Sequence, residues 1–134
     1  MKVLFVCLHN AGRSQMSEAL FERFAGGRHE AQSAGTTPGD HVHPNVLAVM
    51  KEEGVDLSDR KPRLLTDDLA RWADIVITMG CGDSCPVIPG KRYIDWELRD
   101  PKDLSVDEVR DIKEDIKNRV TNLVKDLDHA GVRR

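Results

Sequence analysis

Five residues separate Cys7 from Arg13, and Ser14 follows at once, in the run Cys7-Leu8-His9-Asn10-Ala11-Gly12-Arg13-Ser14. A thiol, a planar cation and a hydroxyl at that spacing suit one chemistry, the attack of a thiolate on a bound tetrahedral oxyanion. A loop of this length can curl so that backbone N–H groups from Leu8 through Ser14 point inward, and a helix opening at Arg13 adds the positive end of its dipole. The same field favours thiolate over thiol at Cys7, and a Ser14 hydroxyl donating to the sulfur adds to it. Arg13 can hold two equatorial oxygens of the guest with its fork, which a lysine cannot. The plain alternative is a buried, inert cysteine at a strand end. The apolar strand before the loop and the helix after it argue against that.

Such a loop has to be delivered by a strand and backed by a helix. Val3-Leu4-Phe5-Val6 is a continuous apolar run of strand length, as expected where helices cover both faces of a sheet, and it leaves Cys7 at the carboxyl edge where ligands bind in parallel α/β sheets. Met16, Ala19, Leu20 and Phe24 mark one face of a helix over 14–24, stopped by Gly26-Gly27. A second strand is predicted over 30–34, with Ser33-Ala34-Gly35 bringing small residues near the loop. Residues 36–43 read as a surface loop. His41 and His43 lack a third ligand at workable spacing, so no metal site is expected there.

Pro44 opens a helix with Val46, Leu47, Val49 and Met50 inside and Gly54 as its stop, and 56–63 is a polar connection. Thr66 caps a short helix reaching Ala73, and Asp74 to Met79 is a third strand. A fourth is centred on Arg92-Tyr93-Ile94. Ser105 and Glu108 form a capping box for a long helix to about His129, with Val109, Ile112, Ile116, Val120, Leu123, Val124 and Leu127 as its buried stripe. Gly131 to Arg134 reads as a frayed tail. This alternation predicts an α/β fold: one domain over 1–134, an open parallel four-stranded sheet flanked by helices.

A second constellation, Gly80-Cys81-Gly82-Asp83-Ser84-Cys85-Pro86, comes straight after the third strand. A parallel sheet puts the carboxyl end of that strand on the same edge as Cys7, so topology alone brings Cys81 within possible reach of Cys7. If the segment is one helical turn, the α-carbons of Cys81 and Cys85 lie near the ~6 Å of a disulfide, and Gly80, Gly82 and Pro86 let it loosen. Three readings are open: half of a zinc site, two inert thiols, or a redox pair. Zinc would need two further ligands, and none follows before His129.

The 134 residues carry a net charge of −3 with two Trp, one Tyr and three Phe, which gives neither a polyanion-binding surface nor aromatic platforms for bases. No nucleic-acid partner is expected. The apolar run from Val3 to Leu8 is far too short for a membrane span. An odd count of three cysteines fits a reducing, cytoplasmic setting better than a secreted disulfide framework.

The stretch from Cys7 to Glu18 resembles the active-site loop of the low-molecular-weight protein tyrosine phosphatase superfamily. Its His9-to-Met16 wording is closer to the arsenate reductases built on that fold. Ser33-Ala34-Gly35, the Cys81/Cys85 pair and Asp100-Pro101 stand in the order the resemblance implies. It further implies that Asn10, Ser14 and Ser33 support the loop, that Asp100 is the general acid, and that arsenate is the substrate, with phosphate or sulfate as analogues. The resemblance also implies that a Cys7/Cys81/Cys85 relay, regenerated by thioredoxin or a similar dithiol, supplies two electrons with no cofactor. The enzyme is expected to act as a monomer.

The rival within the superfamily is a phosphatase working through a Cys7 phosphoenzyme. Lys102 and Asp103 stand where the phosphatases carry aromatic residues, which weighs against it. Potassium-stimulated reductases are expected to place a carboxylate in the segment where this chain has Arg60, Lys61 and Arg63, so potassium dependence is not predicted.

Overall fold

A computed structural model describes residues 1–80 and 91–132, the last three of these by backbone alone. Its elements are β1 Lys2–Cys7, α1 Arg13–Ala25, β2 Glu30–Gly35, α2 Pro44–Glu52, α3 Asp67–Trp72, β3 Ile75–Met79, β4 Arg92–Asp95 and α4 Val106–Val132. The strands form one parallel four-stranded sheet in the order β2-β1-β3-β4. The expected fold class is the observed one. α4 runs on past His129 to Val132, so the tail expected to fray from Gly131 begins as helix.

β1 is buried from Val3 to Cys7 because alternate side chains serve two cores. Val3, Phe5 and Cys7 join Ile75, Ile77 and Met79 against α1, α2 and α4, while Leu4 and Val6 meet Ala73, Val76, Leu69 and Trp72 on the face that α3 covers. All seven stripe residues of α4 are buried. On α1 the burial differs in one place from the expected face: Phe21 is fully buried, edge-to-face with Phe5, and Phe24 only half so. The caps behave as their residue types require. Thr66 accepts from the Leu69 N–H at 3.2 Å, and Ser105 and Glu108 make their reciprocal box.

Register places the chemistry. Cys7 lies level with Gly35 on one side and Met79 on the other, so three chain segments leave the sheet along one edge. Gly35 permits this crowding. A Cβ there would stand 2.8 Å from the Leu8 carbonyl oxygen and 2.9 Å from the Asn10 nitrogen, and backbone atoms cannot swing aside. Gly39 is the natural control, since its Cβ would meet Ala11 at an ordinary 3.8 Å. Gly35→Ala should lower stability by about 1–3 kcal/mol, the usual cost of overpacking, and Gly39→Ala by much less. Urea unfolding of both variants checks the difference.

Candidate active site

The loop from Cys7 to Gly12 turns its carbonyls outward. Those of Cys7, Leu8, His9 and Ala11 accept from the N–H groups of Thr36 (3.3 Å), Thr37 (2.8 Å), Gly39 (3.0 Å) and His43 (2.9 Å), and that of Gly12 accepts from Met16 at 3.0 Å. No described peptide bond is cis. In a trans peptide the N–H points opposite to its C=O, so the N–H groups of Leu8, His9, Gly12 and Arg13 face the interior of the loop. The Asn10 N–H shows the same sense, reaching Cys7 Sγ at 3.3 Å. Helix α1 begins without a side-chain cap on Gly12, which leaves its first-turn amides for an anion.

The direction of each hydrogen bond around the sulfur follows from one backbone group. The Arg63 N–H can only donate, and it donates to Asn10 Oδ1 at 2.9 Å; Gln15 Nε2 donates to the same oxygen at 3.1 Å. Asn10 Nδ2 is therefore the end that faces Ser14, donating to its Oγ at 2.7 Å. The Ser14 hydroxyl hydrogen is then free for Cys7 Sγ, 2.8 Å away, which makes Ser14 the donor and the sulfur the acceptor. Asn10 sits at φ +50°, a conformation that asparagine tolerates better than most residues.

Arg13 is 6% exposed. Its Nη1 donates to the Leu98 carbonyl at 3.3 Å, and its Nη2 lies 3.8 Å from Asp100 Oδ2. Asp100, on the segment after β4, thus comes to the mouth of the loop. Pro101 follows it onto Gly12, whose Cβ would stand 2.5 Å from Pro101 Cγ. Gly80 closes the other side at φ +76°, where a Cβ would fall on Arg13 Nη1. The absence of a side chain at Gly80 makes room for the guanidinium.

Ser33 joins the support less directly than the resemblance implies. Its hydroxyl donates to Glu18 at 2.6 Å, and its carbonyl accepts from Arg63 Nε at 3.3 Å. Arg60 pairs with Glu18 at 2.9 Å, and the Arg63 guanidinium also holds Gln32. Burial pushes the Glu18 carboxyl up from its ordinary value, and Ser33 and Arg60 draw it back. The acceptors a monovalent cation would take here, the Glu18 carboxylate and the Ser33 carbonyl, are already met by two guanidinium groups. These residues do not fit a bound potassium ion.

Cys81 and Cys85 lie outside the described residues. Sequence reasoning missed Gln15, Gly80 and the backbone of Arg63. Gln15 alone carried a signal, as a polar residue on a helix turn that must pack on the sheet; it is 2% exposed.

Two outcomes test this geometry. Ser14→Ala should slow alkylation of Cys7 by iodoacetamide at neutral pH about tenfold, the loss of one charge-assisted hydrogen bond. Gly80→Ala should weaken phosphate protection of Cys7 about tenfold, or ~1.4 kcal/mol, by displacing Arg13. Both are read from alkylation rates with and without phosphate.

The model of the low molecular weight phosphotyrosine protein phosphatase family matches residues 2–133. A putative arsenate reductase of Halobacterium salinarum is 45% identical over 124 residues, 89% of this chain and 87% of the relative. The glutaredoxin arsenate reductase of Synechocystis is 34% identical, covering 92% and 95%. Among solved structures, the thioredoxin-dependent arsenate reductase of Corynebacterium glutamicum superposes with a TM-score of 0.82 at 46% identity, covering 96% of this chain; this chain spans 62% of that one. An anion loop of this build, on this sheet, with matches of this extent leads to one conclusion: the chain belongs to the low molecular weight phosphotyrosine protein phosphatase family, and the relatives it resembles there are arsenate reductases.

Proposed function

We propose that this protein reduces arsenate to arsenite through a covalent adduct on Cys7, and that Cys81 and Cys85 complete the electron relay. The observation that carries the reading is the contact of Gly80 with Arg13 on the edge where β1 and β3 end level, because Cys81 is covalently next to Gly80. A phosphatase has no need of two further cysteines in the stretch of sequence directly after that strand. The relatives' names point the same way.

The Cys7 thiolate attacks arsenic held by the inward N–H groups and Arg13. One As–O bond breaks, and Asp100 gives its proton so that the oxygen leaves as water. The Cys81 thiolate then attacks Cys7 Sγ. The S–As bond breaks with its electron pair going to arsenic, and arsenite departs. Cys85 displaces Cys7 from Cys81, regenerating the Cys7 thiolate and leaving a Cys81–Cys85 disulfide. A thioredoxin-type dithiol reduces that disulfide, in the reducing cytoplasm and on a monomeric enzyme. Charge decides the first step: developing negative charge on the equatorial oxygens meets amides and a guanidinium already aimed at it, at no cost of reorganisation.

With one equivalent of arsenate and no reductant, Cys85→Ser should release one arsenite and stall with Cys7 joined to Cys81, a mass loss of two hydrogens. Cys81→Ser should release none. Normal thioredoxin-driven turnover by Cys85→Ser would remove Cys85 from the relay. Turnover with a glutaredoxin and glutathione but not with thioredoxin would reassign the donor. Aryl-phosphate hydrolysis surviving Cys81→Ser, without arsenite release by the unaltered protein, would return the chain to ester cleavage.

A further inference from the structure

The first turn of α2 reaches two loops at once. Its entry residue His43 donates its backbone N–H to the Ala11 carbonyl of the anion loop at 2.9 Å. Two residues on, Asn45 Nδ2 donates to the Pro101 carbonyl at 2.8 Å and to the Leu104 carbonyl at 3.0 Å. The Val46 N–H donates to Asn45 Oδ1 at 2.8 Å, which fixes the amide with its nitrogen toward the acid loop. Both hydrogens of one amide group are thus committed to the two ends of the Pro101–Leu104 turn.

That turn follows Asp100 and carries backbone that a tether must hold. The Leu104 N–H donates to the Pro101 carbonyl at 3.1 Å, and Asp103 sits at φ +63°. Asp100 itself caps the Lys102 N–H at 3.0 Å and faces Arg13 at 3.8 Å. His43 also faces Asp100; burial lowers its proton affinity, and the Asp100 charge offsets part of that. The Arg13 contact is weak, because Asp100 is 40% exposed. The height of the acid over the anion loop is set instead by what holds the turn, the Pro101 ring on Gly12 and the amide of Asn45 behind it.

We infer that Asn45 is a positioning residue for Asp100: it ties the acid loop to the helical turn that also holds the anion loop, and so fixes where the proton is delivered. The inference rests on the reading of Asp100 as the general acid. Asn45 acts through Asp100 and touches no reacting atom in this scheme. Its loss should slow proton delivery and leave oxyanion affinity alone.

The test uses Asn45→Ala, Asn45→Ser, Asp100→Asn and the double variant Asn45→Ala/Asp100→Asn in the full chain. Three quantities are read: arsenite release in a single turnover, phosphate protection of Cys7, and the pH–rate profile. Asn45→Ala should lower the single-turnover rate about tenfold with phosphate affinity unchanged within twofold. It should also displace the limb of the pH profile that Asp100→Asn abolishes. Asn45→Ser, which keeps a shorter donor, should recover part of the rate and guards against a folding defect in the alanine variant. In the Asp100→Asn background, Asn45→Ala should add less than twofold, the mark of two residues acting as one unit. An unchanged rate in Asn45→Ala, a parallel loss of phosphate affinity, or a full tenfold loss on top of Asp100→Asn would overturn the proposal. If Asp100→Asn alone leaves the rate intact, it is the acid assignment that fails, and the role of Asn45 falls with it.

Discussion

A backbone N–H has no second role: it donates. The Arg63 amide therefore orients the Asn10 side chain, the Asn10 side chain orients the Ser14 hydroxyl, and the hydroxyl presents its hydrogen to Cys7 Sγ. Every link is buried or half-buried, where an unmet donor or acceptor is expensive, so the chain of polarity holds in one sense. The anion loop depends on it twice. It sets the proton inventory around the nucleophile, and it holds Asn10 in the left-handed turn that curls the loop.

Close approach is the second condition, and it is met by what is missing from side chains. At Gly35 the backbone of β2 runs against the backbone of the loop, and at Gly80 the chain leaving β3 makes room for a guanidinium. The parallel register supplies the frame, with Gly35, Cys7 and Met79 level across the sheet. A fixed edge of that kind suits a reaction whose substrate must be held by many inward amides at once, since each amide is aimed before the charge arrives.

The side of the loop away from the oxyanion is electrostatically self-contained. Glu18 meets Arg60 and Ser33, and Arg63 meets Ser33 and Gln32. Positive charge near the loop is thus carried by covalently attached guanidinium groups.

Local pattern determined much of this protein. Alternation of apolar runs and amphipathic stretches set the elements of the described residues and their order, because burial of one face is written in residue spacing. The spacing from Cys7 to Arg13 announced an anion loop, because a helix start and a short loop need only neighbours in sequence to form one. What only the tertiary structure decided are contacts between residues far apart in the chain: Arg63 on Asn10, Gly80 on Arg13, and Asn45 on Pro101. Arg63 acts at Asn10 through a backbone group that any residue but proline has, so its type gave no sign. Gly80 and Asn45 are ordinary at the end of a strand and the start of a helix, and they acquire their roles from what folding brings against them.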